Sequence, residues 1–194
     1  MRRVGSWMLG LAIISMGSAV HYPQQATTPA RKLVEYGTDA SIKKVNLTPV
    51  EITVEDLIAL RDKSCAAMDF VKYHDIRFAP FETSVYRITG TLKSIRLDNE
   101  GDISFVVAGK TGAQAVIEIA EIAECKGSPF LKKMRDARTT LERRYHPKTE
   151  TSEHSDVVTV DGIGFLGSRP KAGDKPFGET VRLMPCLKIT FGKG

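Results

Sequence analysis

The chain has few of the residues that most often announce a chemistry. It holds three cysteines, four histidines and one tryptophan in 194 residues. Three cysteines are too few for a disulfide-built scaffold. There is no Cys-x-x-Cys spacing, and His74, His146 and His154 follow no ligand pattern, so no metal site is expected. Aromatic residues make up 7%. That is sparse for a surface that stacks bases, where each stack contributes roughly 1–3 kcal/mol. Long apolar runs are also missing beyond the N-terminal one. A hydrophobic content of 42% nevertheless excludes a wholly disordered chain. The length fits one domain with an extension.

The N-terminal run reads as an export signal. Arg2 and Arg3 form a positive n-region, and Trp7 to Met16 an apolar stretch of about ten residues, the length of a signal h-region. Gly17-Ser18-Ala19 supplies small residues for cleavage. A membrane-spanning helix needs roughly 20 apolar residues, so residues 1–19 are expected to be removed. The mature chain is then expected to be periplasmic or secreted, with no transmembrane segment. Removal takes two Arg and no acid, lowering the formal charge from +5 to +3. That is ordinary surface balance. In an oxidising compartment Cys65, Cys125 and Cys186 allow three single pairs and leave one thiol over.

Residues 20–52 show little periodicity and read as an exposed lead-in. A helical extension over 53–82 follows. Thr53 is its N-cap, with Glu55 and Asp56 in the first turn of a helix over about 54–63. From Val85 to Leu97 apolar and polar residues alternate as in a long strand, and Gly90 inside it suggests a bulge or bend. Turns at Asp98–Gly101 and Gly109–Gly112 separate further strands at Ile103–Ala108 and Ala113–Ile119. Ser128-Pro129 opens a helix that runs to about Tyr145 and stops at His146-Pro147. Strands at Val157–Phe165 and Val181–Phe191 complete the set. In the last, Val181, Leu183, Leu187, Ile189 and Phe191 are expected on one face, Arg182, Met184, Cys186, Lys188 and Thr190 on the other.

Three strands, a helix and two strands is the element order of the OB-fold. The predicted fold is therefore mainly β with helices. It is a five-stranded OB-like barrel over 83–194, with a helix between its third and fourth strands and a short N-terminal helix.

No motif in this chain names a reaction. Gly162, Gly164 and Gly167 match G-x-G-x-x-G, but Arg169-Pro170 breaks the helix a dinucleotide site requires. These glycines are expected to let a strand pass close to its neighbours, and no cofactor is expected. Asp98, Glu100 and Asp102 read as a solvated turn. Glu153-His154-Ser155-Asp156 reads as a polar connection, since triads assemble from distant positions. Cations gather on the 128–145 helix and in the 166–179 loop. That loop joins the last two strands, where OB-folds border their ligand groove. Arg169, Lys171 and Lys175, with Tyr86 and Phe105, are the candidate binding residues.

Several segments together resemble an uncharacterised family of exported bacterial OB-fold-like proteins over roughly residues 76–192. They are Ala79–Tyr86, Glu100-Gly101-Asp102, Val116–Ile119, Cys125, Ser128-Pro129-Phe130, Val158–Phe165 and Leu183-Met184-Pro185. Family members commonly carry histidines where this chain has Ser104, the Gly167–Lys175 loop and Met184. The resemblance implies a disulfide between Cys125 and Cys186.

The expected function is a non-catalytic binding or structural module of the cell envelope or extracellular space. Its partner would be an anionic polymer or an envelope protein. The alternative is a nuclease-like hydrolase acting on an anionic polymer, a fold-level analogy. Convergence of two or more of Asp98, Glu100, Asp102, Glu118 and Asp161 with arginine in one pocket would favour the hydrolase, and a groove holding only Lys and Arg would favour anion binding without chemistry.

Overall fold

The computed structural model describes residues 29–67, 76–166 and 180–192. The expected signal peptide and Arg169, Lys171 and Lys175 lie outside the described residues. In chain order the elements are α1 (Pro29–Tyr36), β1 (Asn46–Glu51), α2 (Val54–Ala67), β2 (Ser84–Leu97), β3 (Ile103–Ala108) and β4 (Gln114–Ile119). Then come α3 (Leu131–Tyr145), β5 (Ser152–Glu153), β6 (Val157–Phe165) and β7 (Val181–Phe191). Among the described residues no helix is long and apolar enough to cross a membrane.

Five strands close a barrel in the order β2-β3-β4-β7-β6, with β6 pairing back onto β2. The β4–β7 pairing is parallel and the other four are antiparallel. With α3 between β4 and β6, this is the OB-like barrel that the element order predicts. Two further strands are added to β2: β1 in parallel and β5 antiparallel.

The long β2 serves both halves of the barrel. Val85 to Thr91 pair with β6, and Thr91 to Leu97 pair with β3. Gly90 sits at the changeover, where a Cβ would lie 2.3 Å from the Ala108 carbonyl oxygen. The register slips between Leu92 and Ser94, the irregularity expected of a strand that bends around a barrel. Gly164 is similarly confined: a Cβ there would lie 2.4 Å from the Phe81 carbonyl oxygen. The described part of the G-x-G-x-x-G run thus serves close packing.

The barrel interior is filled by Ile88, Leu92, Phe105, Ile117, Val160 and Leu183 with their neighbours. A second apolar cluster lies under α3, where Met134 meets Val85, Cys125, Ile163 and Leu187. Arg138 holds α3 down by donating to the Gly101 carbonyl at 2.9 Å and the Ala120 carbonyl at 3.3 Å, with Glu121 at 3.2 Å. Thr53 caps α2 as expected: its Oγ1 accepts the Asp56 N–H at 3.1 Å. The helix runs one turn further than predicted, to Ala67. Glu55 in its first turn accepts from the Thr111 N–H and hydroxyl at 2.9 and 2.8 Å, tying α2 to the β3–β4 turn.

Four expectations change. First, residues 29–52 are not an unstructured lead-in: 31–45 contribute buried side chains, and 46–51 pair as a strand whose side chains are mostly exposed. Val34 is fully buried and α1 and β1 are integral to the fold. Their anchor is polar, so hydrophobic periodicity does not reveal it. Arg31 bonds Glu82, and Arg77 bonds Asp39 at 3.0 Å, with all four side chains at 0–3% exposure.

Second, α3 starts at Leu131, after Phe130. Ser128 instead closes the preceding turn, its Oγ accepting the Phe130 N–H at 3.2 Å.

Third, alternation along β7 breaks. Register shifts around Gly162 set Cys186 in the barrel cluster and Leu187 under α3, as a bulge reverses which face follows it.

Fourth, the Cys125–Cys186 disulfide is not present. All three cysteines are free thiols, and these two belong to different apolar clusters. Burial raises the Cys65 and Cys125 thiols to about 12 and raises Cys186 as well. The thiolate is the reactive form. Native protein at pH 8 is therefore expected to react slowly with a thiol reagent and rapidly once unfolded. Fewer than three thiols titrating after unfolding without reductant would contradict the free-thiol state.

Candidate functional site

The outer face of the barrel carries two rows of side chains that the register aligns. Arg96 on β2 stands opposite Ser104 on β3, which stands opposite Glu118 on β4. One step along, Ser94 is opposite Val106, Val106 opposite Val116, and Val116 opposite Arg182 on β7. These residues floor a cavity of about 650 Å³, within the usual range for ligand sites. Thr149 and Thr151 line one wall, and the Asp98–Asp102 turn with Lys32 and Glu35 of α1 lines another. OB-folds use this face and the loop joining their first two strands for ligands.

The turn is held by its own acids. Asp98 Oδ1 accepts the N–H groups of Glu100 and Asp102, both at 2.9 Å. Asp102 Oδ1 accepts the Glu121 N–H at 2.6 Å, fixing the turn to the end of β4. Lys32 Nζ donates to Glu100 at 2.6 Å and so seats α1 against the turn.

Two carboxyls in the groove depart from ordinary behaviour. Burial, helped by Asp98, Glu118 and Glu100, raises Asp102 to about 6 against the pull of its backbone hydrogen bond. Burial also raises Glu118, opposed by Arg182 and Arg96. Arg182 Nη1 lies 3.7 Å from Glu118 Oε1.

The Asp102 shift has a consequence for stability. The folded state holds this proton more tightly than the unfolded chain, so its contribution is complete below pH ~4. It is lost as pH rises through about 6. Asn at this position keeps an acceptor for the Glu121 N–H and does not titrate. The melting temperature of Asp102→Asn is therefore expected to gain on the native chain as pH rises from 4 to 7. A difference that stays constant across that range would contradict the assignment.

The structure sorts the sequence candidates. Asp98, Glu100, Asp102 and Glu118 converge in the groove with Arg96 and Arg182. Asp161 does not join them; it is bound on another face by Arg87 at 2.6 and 2.8 Å. Tyr86 and Phe105 are corrected: at 2% and 1% exposure both are core side chains, and Tyr86 packs on Phe81. Their positions in β2 and β3 point into the barrel, away from the groove. His154 bonds Ser152 at 2.8 Å, while Asp156 bonds Arg144 at 2.6 Å, so the 153–156 run forms no triad. Among the described residues, no three His, Cys, Asp or Glu side chains group as a metal site.

Arg96, Ser104 and Arg182 were not singled out as site residues, whereas Glu118 was named among the acids whose convergence would favour a hydrolase. The signal available was their place on outward positions of strands that the alternation identifies.

No family model matches the chain, and no curated protein matches it. Among solved structures, the chain is similar to "OBody AM3L09 bound to hen egg-white lysozyme". The TM-score is 0.35 and the identity 14%, over 57% of this chain and 83% of that chain.

Proposed function

We propose that this chain is an exported binding module of the cell envelope or extracellular space, and that the outer groove of β2, β3 and β4 is its contact site. The observation that carries this reading is the groove itself: a cavity of about 650 Å³ with a mixed floor and a charged rim, assembled from four barrel strands, one turn and α1. Five acids line it against three cations, Lys32, Arg96 and Arg182. That balance disfavours an anionic polymer in the groove. It favours a polar segment of an envelope protein that presents cationic groups and hydrogen-bond donors. Export rests on the n-region, h-region and small residues of 1–19.

The test is a titration of the full chain with a lysine-containing synthetic peptide and, separately, with heparin. The reading expects saturable peptide binding that weakens about tenfold in Glu118→Gln. Heparin binding that depends on Arg96 and Arg182 would overturn it. N-terminal sequencing after expression in a bacterium is expected to begin near Val20. An intact Met1 in the exported fraction would contradict cleavage.

The hydrolase reading is supported by the convergence itself: Asp98, Glu100, Asp102 and Glu118 meet Arg96 and Arg182 in one groove. Asp102, raised to about 6, is a carboxyl able to exchange a proton near neutral pH, and it shares the groove with Glu118, Arg96 and Arg182. Turnover of a phosphodiester that disappears in both Asp102→Asn and Glu118→Gln would favour it over simple binding.

A further inference from the structure

A second cavity, of about 360 Å³, lies between β1 and α3. Its apolar lining comes from Leu47 and Pro49 of β1, Val85 of β2, and Leu187 and Ile189 of β7. Leu47 is 44% exposed, and Val50 further along the same strand is 46% exposed. Both are large apolar side chains left in water on one short strand.

The charges around this cavity are unequal in their partners. Asp161 is held bidentate by Arg87, and Asp136 bonds Lys132 at 2.7 Å. Lys133 and Lys188 also line the cavity, and among the described residues neither has a salt-bridge partner. The acids are therefore neutralised within the molecule, and two ammonium groups are left over beside an apolar floor.

The edge of β1 is poorly suited to adding a peptide strand. Pro49 has no N–H to offer, and the Thr48 N–H is taken by the Asn46 side chain at 3.0 Å. Recognition here falls to side chains.

We propose that the cavity between β1 and α3 binds a small amphiphilic carboxylate, its acyl chain on the Leu47–Val85–Leu187 floor and its head group at Lys133 and Lys188. A desolvated chain supplies the affinity, at roughly 0.8 kcal/mol per buried methylene. The two lysines select the sign of the head group.

The experiment is calorimetric titration of the full chain with decanoate below its micelle concentration. Decyltrimethylammonium is the control of opposite sign. Saturable decanoate binding is expected, with an affinity about tenfold or more weaker in Lys133→Ala/Lys188→Ala. Both lysines are exposed, so the variant is expected to melt with the native chain. Leu47→Asp is a second, independent variant expected to abolish binding.

Equal binding of the cationic control would overturn the proposal, as would no binding of decanoate. Co-sedimentation with phosphatidylglycerol vesicles without decanoate binding would also overturn it, in favour of a membrane surface. None of these outcomes bears on the β2–β3–β4 groove, which Glu118→Gln tests separately.

Discussion

Glu82→Ala is expected to destabilise the protein by about 3–5 kcal/mol. The Glu82 side chain is fully buried and accepts from four donors. Two come from the Arg31 guanidinium, and the others are the N–H groups of Phe78 and Leu166 at 2.9 and 2.8 Å. Removing the carboxylate takes from the buried guanidinium, stacked at 4.7 Å on Phe165, its ion pair with Glu82, and leaves two backbone donors without acceptors. Breaking one side of a buried ion pair and orphaning two backbone donors costs far more than the pair itself contributes.

The companion variant separates those parts. Arg31→Met/Glu82→Leu removes both charges and is expected to recover part of the loss, while the Phe78 and Leu166 N–H groups remain unpaired. Urea midpoints at constant m-value read the difference. A Glu82→Ala chain that unfolds within 1 kcal/mol of the native protein would show that α1 does not depend on this anchor.

Phe105→Ala is expected to cost about 3–5 kcal/mol and to lower Tm by roughly 10 °C. Its ring is 1% exposed among the side chains that fill the barrel, and truncation leaves a cavity that the closed strands cannot collapse around. The same variant distinguishes a core role from a ligand-stacking one. A core ring lowers stability and leaves the affinity of the remaining folded protein near native. A chain of native stability that has lost ligand binding would return Phe105 to the binding surface.

Periodicity made most of the barrel legible. Ile103–Ala108, Val157–Phe165 and Val181–Phe191 have the predicted bounds, and Ser84–Leu97 and Gln114–Ile119 differ from prediction by one residue. Their apolar positions face one dense interior, so every second residue is constrained. The N-terminal part was illegible for the opposite reason. Segment 29–51 is held by Arg31–Glu82 and Arg77–Asp39 across separations of 51 and 38 residues. A paired charge in the interior looks in sequence like any surface charge. Stretch 20–52 therefore read as exposed.

The candidate groove shows the same division. Alternation in the last strand set Arg182 on the face opposite Val181 and Leu183, but nothing read from sequence joined it to Arg96, Ser104 and Glu118. Their meeting in one cavity depends on the register of three strand pairs, including the parallel β4–β7 pairing, and no local pattern encodes that. Likewise, three cysteines could be counted but not paired. Barrel closure put Cys186 inside and Cys125 under α3.

By itself, the sequence of this protein determined the five barrel strands and the helices α2 and α3, because burial of one face imposes a local period. Tertiary structure alone decided which charges are buried, which thiols stay apart and which outward residues share a groove. Those relations join residues distant along the chain, and their energies exist only once the barrel has brought them together.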